Sequence, residues 1–400
     1  MTTVARAGLV GVVAAVGFFA YINGVELAFV LVYAAVLVAA LGAAWSWWAG
    51  RHLVLRRQAA GGTRVVGEEL LERFTLENLS GLPVPYVEVR DQAQLTGSGV
   101  HRVLSLGPRQ AVSWEESGRL SRRGRYLLGP TEIRVVDPFG IFPRRRLVPA
   151  RDQVVVYPAL VPVPDLEPGE HGPGFERSRP ARGRDLPPNA GGIREHDPGD
   201  GLHRIHWIST ARRGRLISRA FDADDSGDLL VLLDLCRHSH RGLAPESSLE
   251  YCVTLAASVA SQALRRGRTV ALCGSDAQAR RIPSGRGQLH ARALLDFLAT
   301  AEADGEVGFG DLVRRSLPGW GGRGGVVLVT ADTSTDWVEA AAGASRPGHR
   351  ALGIFVDPAG FSGQDPTPIP AQWRLVLDLW LVRHGDDLGR LNALSGRAVV

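Results

Sequence analysis

The chain has 400 residues, 45% of them hydrophobic, which is ample for more than one core and suits two or three domains. Its net charge of +5 is modest for that length and points only weakly to a membrane-proximal or acidic partner, and every Lys/Arg position is arginine, as a G+C-rich coding bias would give. The three cysteines, Cys236, Cys252 and Cys273, share no metal-ligand spacing, exclude a disulfide scaffold and read as reduced packing thiols.

Two apolar runs, Ala7 to Ile22 and Leu27 to Ala49, are separated by Asn23-Gly24-Val25-Glu26. They predict a transmembrane hairpin over residues 1–58, with Trp45, Trp47 and Trp48 at the headgroups. Arg6 precedes the first run, Arg51, Arg56 and Arg57 follow the second, and the turn carries only Glu26. The positive-inside rule then predicts a two-pass protein of the cell membrane whose large C-terminal part is cytoplasmic.

From 59 to 158 the pattern becomes short alternating runs between turn residues, such as Val87 and Val89 around Glu88, and predicts a β-sandwich. Phe139, in Asp137-Pro138-Phe139-Gly140, is expected to be buried, with an exposed docking knob as the alternative. Arg144-Arg145-Arg146 reads as a solvated strand face, with contact to anionic lipid near the anchor as the alternative. Residues 159–190 are rich in Pro, Gly and charge, without apolar periodicity, and predict a linker. Phe175 is its only aromatic, so it lacks the stacking platforms of a single-strand nucleic-acid binder.

Residues 191–400 predict an α/β domain with a doubly wound, mostly parallel sheet. Strands are expected at Asp228 to Asp234, Arg268 to Cys273, Gly325 to Thr330, Ala351 to Val356 and Trp373 to Val382, with an antiparallel edge at Arg280 to Pro283. Helices are expected at Ser247 to Arg265, Gln288 to Ala303, Thr335 to Ala344 and Asp386 to Leu394. Ligands of such sheets bind beyond the carboxyl ends of the strands, where Asp234, Asp332 and Asp357 fall.

The stretch Gly191 to Arg219 precedes this alternation and is unusually rich in charged, aromatic and turn residues. Asp200 is placed to cap a helical turn over residues 201–207, with Arg204 facing it at helical spacing. The order R-E-(H)-x-P-G-D-x-x-x-R-I-H-W-x-x-x-A-R-x-G-x-L, running into an apolar strand that ends in Asp, resembles the "domain of unknown function 58" family. Gly124-Arg125-Tyr126, Gly129-Pro130, the Asp137 turn and Val156-Tyr157-Pro158 resemble that family's upstream motifs. The resemblance implies a membrane-anchored bacterial protein with a β domain and a von Willebrand factor type A-like domain. It also implies a MoxR-type AAA+ ATPase as partner, with unidentified membrane or envelope proteins as clients. The motif residues Arg194, Glu195, Pro198, Gly199, Asp200, Arg204, His206, Trp207, Ala211 and Arg212 are then the candidate docking surface.

Many von Willebrand A-like domains bind Mg²⁺ through Asp-x-Ser-x-Ser after the first strand. Here that stretch is Asp234-Leu235-Cys236-Arg237-His238, with Asp332 after the later strand and Ser239 as a displaced hydroxyl. Sulfur and imidazole suit a hard cation poorly, so the metal set Asp234 and Asp332 reads as degenerate and no cofactor is expected. A zinc set of Asp234, Cys236, His238 and His240 lacks a zinc spacing. His196, His203 and His206 lie among carboxylates, but no nucleophile elbow, Walker loop or dinucleotide fingerprint accompanies them. The chain therefore reads as an interaction protein and not as an enzyme, with a metal-dependent binding or enzymatic domain as the alternative.

Overall fold

The computed structural model describes residues 2–59, 62–91, 101–149, 152–164, 193–195, 210–212, 214–219, 228–320, 325–344 and 350–388. The chain divides into two compact units, Met1–Tyr157 and Pro158–Val400.

The first unit opens with helices α1 (Thr2–Asn23) and α2 (Glu26–His52). Leu27, Val30, Leu31, Tyr33, Leu37 and Leu41 of α2 are each at least 58% exposed, an apolar surface that water does not favour. Among the described residues α2 is the one helix long and apolar enough to cross a membrane, while α1 contributes the shorter stretch Val10–Asn23. At 1.5 Å per residue that stretch reaches roughly 21 Å, against about 30 Å of hydrocarbon. The expected pair of spans is thereby corrected to one long apolar helix preceded by a shorter one.

Strand β1 (Leu53–Ala59) follows α2 without a linker, so the sandwich begins inside the segment 1–58 that sequence assigned to the anchor. The further strands are β2 (Gly62–Val65), β3 (Glu69–Asn78), β4 (Val84–Asp91), β5 (His101–Leu106), β6 (Ala111–Arg119), β7 (Gly124–Leu128), β8 (Thr131–Val135), β9 (Arg144–Val148) and β10 (Asp152–Tyr157). They form sheets of order β1-β3-β6, β2-β10-β7 and β5-β4-β8-β9. Strand β3 shows why: Leu70, Glu72, Phe74, Leu76 and Asn78 alternate inward, the period-2 pattern of a half-buried strand. Phe74, Leu76 and Trp114 meet Val87, Val89, Ile133 and Val135 in one core, and Leu70, Leu128, Val154 and Val156 fill a second. Within the first core region Arg57 is bonded to two buried carboxylates, Glu72 at 2.7 Å and Asp91 at 3.0 Å.

The Asp137 turn departs from expectation. Asp137 is 3% exposed, and its carboxylate accepts from the amides of Phe139 at 3.1 Å and Phe142 at 2.5 Å. Once the acid is the buried member, the turn ejects its aromatic tip, and Phe139 is 60% exposed. The expected buried aromatic is corrected accordingly.

In the second unit β11 (Ile193–Glu195) and β12 (Ile217–Arg219) form a separate antiparallel ladder. The hairpin β14 (Gly242–Leu243) and β15 (Glu246–Ser247) follows β13 (Leu229–Leu233). With β16 (Val270–Gly274), β17 (Arg281–Gly285), β18 (Gly325–Thr330), β19 (Arg350–Val356) and β20 (Asp378–Val382), β13 builds a six-stranded sheet of order β17-β16-β13-β18-β19-β20. All pairings are parallel except β17, the antiparallel edge. Every residue of β13 and β18 is buried, as expected for strands covered on both faces.

Helices α3 (Ser248–Arg265) and α4 (Gln288–Ala299) cover one face, and α5 (Phe309–Ser316), α6 (Asp336–Ala344) and α7 (Ala371–Val376) the other. Ser247 caps α3 by accepting from the Glu250 amide, and Cys252, Ala256, Val259, Ala260 and Ala263 present a small-residue face to the sheet. The stretch Pro158 to Val163 lies on α3: Val161 donates to Ser258 Oγ at 2.9 Å, and Gln262 donates to the Val163 carbonyl at 3.1 Å. The start of the expected linker thus belongs to this unit, and residues 165–190 lie outside the described residues.

Two expectations need correction. Trp373 to Val382 is α7 followed by β20, because Pro370 precedes the helix and Trp373 plugs the core edge-on to Trp337 and Phe355. Helix α5 was not legible, since its eight residues bury only Phe309, Gly310 and Val313. Asp386 to Leu388 form no α-helix, and the rest of the helix expected there lies outside the described residues.

Candidate functional site

The sheet order reverses between β13 and β18, so their carboxyl ends flank the crevice where open α/β sheets bind ligands. A cleft of about 520 Å³ lies there, lined by Cys236, His238, Ser239 and Arg241 after β13, Glu306 and Gly308, Ala331 to Thr333 after β18, and Pro358, Ala359, Gln364 and Thr367 after β19.

Asp234 ends β13 beneath the cleft and is fully buried. Its carboxylate accepts from the Cys236 amide at 3.0 Å, Thr330 Oγ1 at 2.7 Å and Ser275 Oγ at 3.4 Å. Burial pushes its pKa upward, against the opposing pull of His240 and of the Cys236, Thr330 and Ser239 donors. Ser275 Oγ in turn accepts from the Leu235 amide at 2.7 Å, and Thr330 Oγ1 from the Asp332 amide at 2.9 Å. Asp234 therefore spends its lone pairs tying three strand ends together.

The neighbouring acids are used in the same way. Asp332 accepts from the amide and hydroxyl of Ser334, which closes a turn at the cleft rim. Asp357 is 3% exposed and accepts from the Ala359 amide and from both the amide and hydroxyl of Thr367, pinning the loop that forms the far wall. His240 bridges the Asp234 carbonyl at 3.0 Å and Ser248 Oγ at 3.3 Å. Gly242, at φ +87°, turns the chain so tightly that a side chain there would strike the Glu246 carbonyl. Arg241 donates to the carbonyls of His238 and His240, which folds the β13 loop back on itself.

Asp234 and Asp332 thus join through Thr330. Among the described residues no three His, Cys, Asp or Glu side chains are arranged to hold a metal ion. Of the set Asp234, Cys236, His238 and His240, Asp234 accepts from the Cys236 amide, and His240 is bonded to the Asp234 carbonyl and Ser248. Millimolar Mg²⁺ is expected to leave the melting temperature of the full chain unchanged, because a ligand stabilises only the fold that binds it. An upward shift that Asp234→Ala abolishes would reveal a working metal site.

Of the motif residues, Arg194 and Glu195 lie in β11, opposite Ser218 and Ile217 of β12. Ala211 and Arg212 are exposed in a short helical segment. Pro198, Gly199, Asp200, Arg204, His206 and Trp207 lie outside the described residues. Sequence reasoning missed Ser275, Arg241, Glu306, Gln364 and Thr367. Ser275 carried a signal, as a polar residue directly after a buried strand; Thr367 sits in a proline-rich loop that gave none.

Residues 192–360 match the family model described as "Protein of unknown function DUF58". The uncharacterized protein YeaD of Bacillus subtilis (strain 168) is 23% identical over 246 residues, 60% of this chain and 60% of that protein's length. Among solved structures, the CARDB domain of PF1109 from Pyrococcus furiosus covers 26% of this chain and 94% of its own at 18% identity, with a TM-score of 0.20. The C-terminal domain of wzt covers 30% and 84% at 12% identity, with a TM-score of 0.21. The segment 192–360, which contains the β11–β12 ladder and the strand ends around Asp234 and Asp332, belongs to the DUF58 family.

Proposed function

We propose that this chain is a membrane-anchored, non-enzymatic interaction protein that works with a MoxR-type AAA+ ATPase in assembling or remodelling envelope proteins. In this reading α2 crosses the membrane, with Glu26 at one end and Arg51, Arg56 and Arg57 at the other, so the sandwich and the α/β unit lie in the cytoplasm. The α/β unit has a von Willebrand A-like role as a platform for partner segments.

The observation that carries the reading is the cleft at the strand ends. Its walls mix polar and apolar residues held by loop hydrogen bonds, and the buried acid below it is consumed by structural hydrogen bonds. Such a surface suits recognition of a partner segment through its shape and donors.

The test is co-purification of the ATPase with the full chain, tagged at Val400, from detergent extracts. Exposed charge reversals usually alter stability by less than about 0.5 kcal/mol, so Arg212→Glu in the motif segment and Glu306→Arg at the cleft rim are expected to stay folded. Loss of the partner from the first places docking at the motif, and loss from the second places it at the cleft. Retention by both folded variants would remove this surface from the proposal.

A further inference from the structure

We propose that the first unit carries a phospholipid headgroup site, selective for anionic lipid, formed by Arg51, Arg144, Arg145 and Arg146 where α2 emerges from the bilayer. It rests on the reading of α2 as a membrane span. A cavity of about 360 Å³ lies at that point, lined by Gly50, Arg51, Ile133, Val135, Arg144, Arg145 and Arg146, with four arginines and no acid among them. That volume is within the range of small-ligand sites, roughly 300 to 1,000 Å³.

The arginines are differently committed. Arg146 donates to the carbonyls of Gly50 at 3.2 Å and Leu53 at 2.6 Å, neutralising the negative end of the helix. Arg145 pairs with Glu132 at 3.3 Å. Arg51 lies over the Trp47 ring at 4.1 Å, and neither Arg51 nor Arg144 has a carboxylate partner among the described residues. The Arg144 stem packs on the helix at Gly50, where a methyl would stand 3.4 Å from it, in ordinary contact. Two cations thus lie at the helix end with their charge unanswered by any described carboxylate.

The order of groups along α2 matches half a bilayer. Leu37 and Leu41 are exposed apolar residues. At Gly42 the Asp137 turn closes on the helix, with Phe142 within 3.5 Å of the position a side chain would occupy, and Phe139 projects from that turn. Trp47 follows, half exposed, and then Gly50 with the arginines. From Gly42 to Gly50 the helix rises roughly 12 Å, enough to cross the roughly 5 to 8 Å of headgroup region in one leaflet. Apolar side chains, an indole and then cations therefore succeed one another where acyl chain, interface and phosphate do.

The experiment is native mass spectrometry of the full chain, released from nanodiscs holding equal phosphatidylglycerol and phosphatidylcholine. Wild type is expected to retain phosphatidylglycerol preferentially. Each arginine near an anionic surface is worth about fivefold in affinity, so Arg51→Gln with Arg144→Gln is expected to lower the preference roughly twentyfold. If the double variant fails to fold, Arg144→Gln alone, at an exposed strand position, is expected to lower it about fivefold. Flotation with liposomes, read in parallel on each protein, separates the two readings. Wild type that does not float overturns the span and the site together. Wild type that floats without lipid preference, or variants that keep the preference, overturn the site alone. Inorganic phosphate raising the melting temperature of wild type but not of the variant, without lipid preference, would assign the cavity to a soluble anion and overturn the proposal.

Discussion

Arg57→Met is expected to destabilise the sandwich by about 3 to 5 kcal/mol at neutral pH, because it leaves two buried carboxylates without their cation. Arg57 is bonded to both oxygens of Glu72 and to Asp91, and Asp91 also accepts from Thr131 Oγ1 at 2.9 Å. Burial already raises the pKa of Glu72 above its usual value, against the lowering effect of Arg57, so loss of the guanidinium moves it further up. Between the unfolded value and a raised folded value the native state holds more protons than the unfolded chain, so stability rises as pH falls through that window. The defect of Arg57→Met should therefore shrink toward acid pH. Thermal melting of the full chain in detergent across pH checks this, with the triple variant Arg57→Met, Glu72→Gln, Asp91→Asn as control. A triple variant no more stable than Arg57→Met at neutral pH would show that the guanidinium acts through packing on the Phe74 ring, 5.1 Å away, and not through charge.

What sequence reveals of this molecule follows the strength of its periodic signals. Strands buried on both faces, such as Leu229–Leu233 and Gly325–Thr330, are continuous apolar runs and could be placed closely. The edge strand Arg281–Gly285 was legible as a short charged run containing a proline. Trp373 to Val382 misled because apolar residues of a one-turn helix and of the next strand are contiguous, and only Pro370 marked the boundary. The strand-end acids Asp234, Asp332 and Asp357 were found by position, yet their use was not. Whether a carboxylate faces a ligand or its own chain depends on hydroxyls such as Ser275 and Thr367, from distant segments. The fate of Phe139 was hidden for the same reason, since burial of Asp137 against α2 decides which way the turn points.

Trp337→Ala is expected to cost about 3 to 5 kcal/mol in the α/β unit, for Trp337 is fully buried and its ring fills the space beneath β19. A methyl on Gly353 would stand 3.2 Å from that ring, and Trp373 and Phe309 lie 5.1 Å and 6.2 Å from it, centroid to centroid. Its indole also donates to the Asp332 carbonyl at 3.2 Å, so one side chain couples the core to the cleft rim. Trp337→Phe separates these roles. It keeps much of the packing and leaves the carbonyl without its donor, so stability should fall less than in Trp337→Ala. Amide exchange at Asp332 to Ser334 should nonetheless quicken, measured by hydrogen exchange on the full chain beside thermal melting. If the rim exchanges as in wild type while the unit is destabilised, the turn closed by Ser334 holds itself and the tryptophan is core alone. If the rim loosens and partner capture weakens in the same variant while Glu306 and Arg212 are untouched, the cleft recognises its partner through a wall that the core keeps in place.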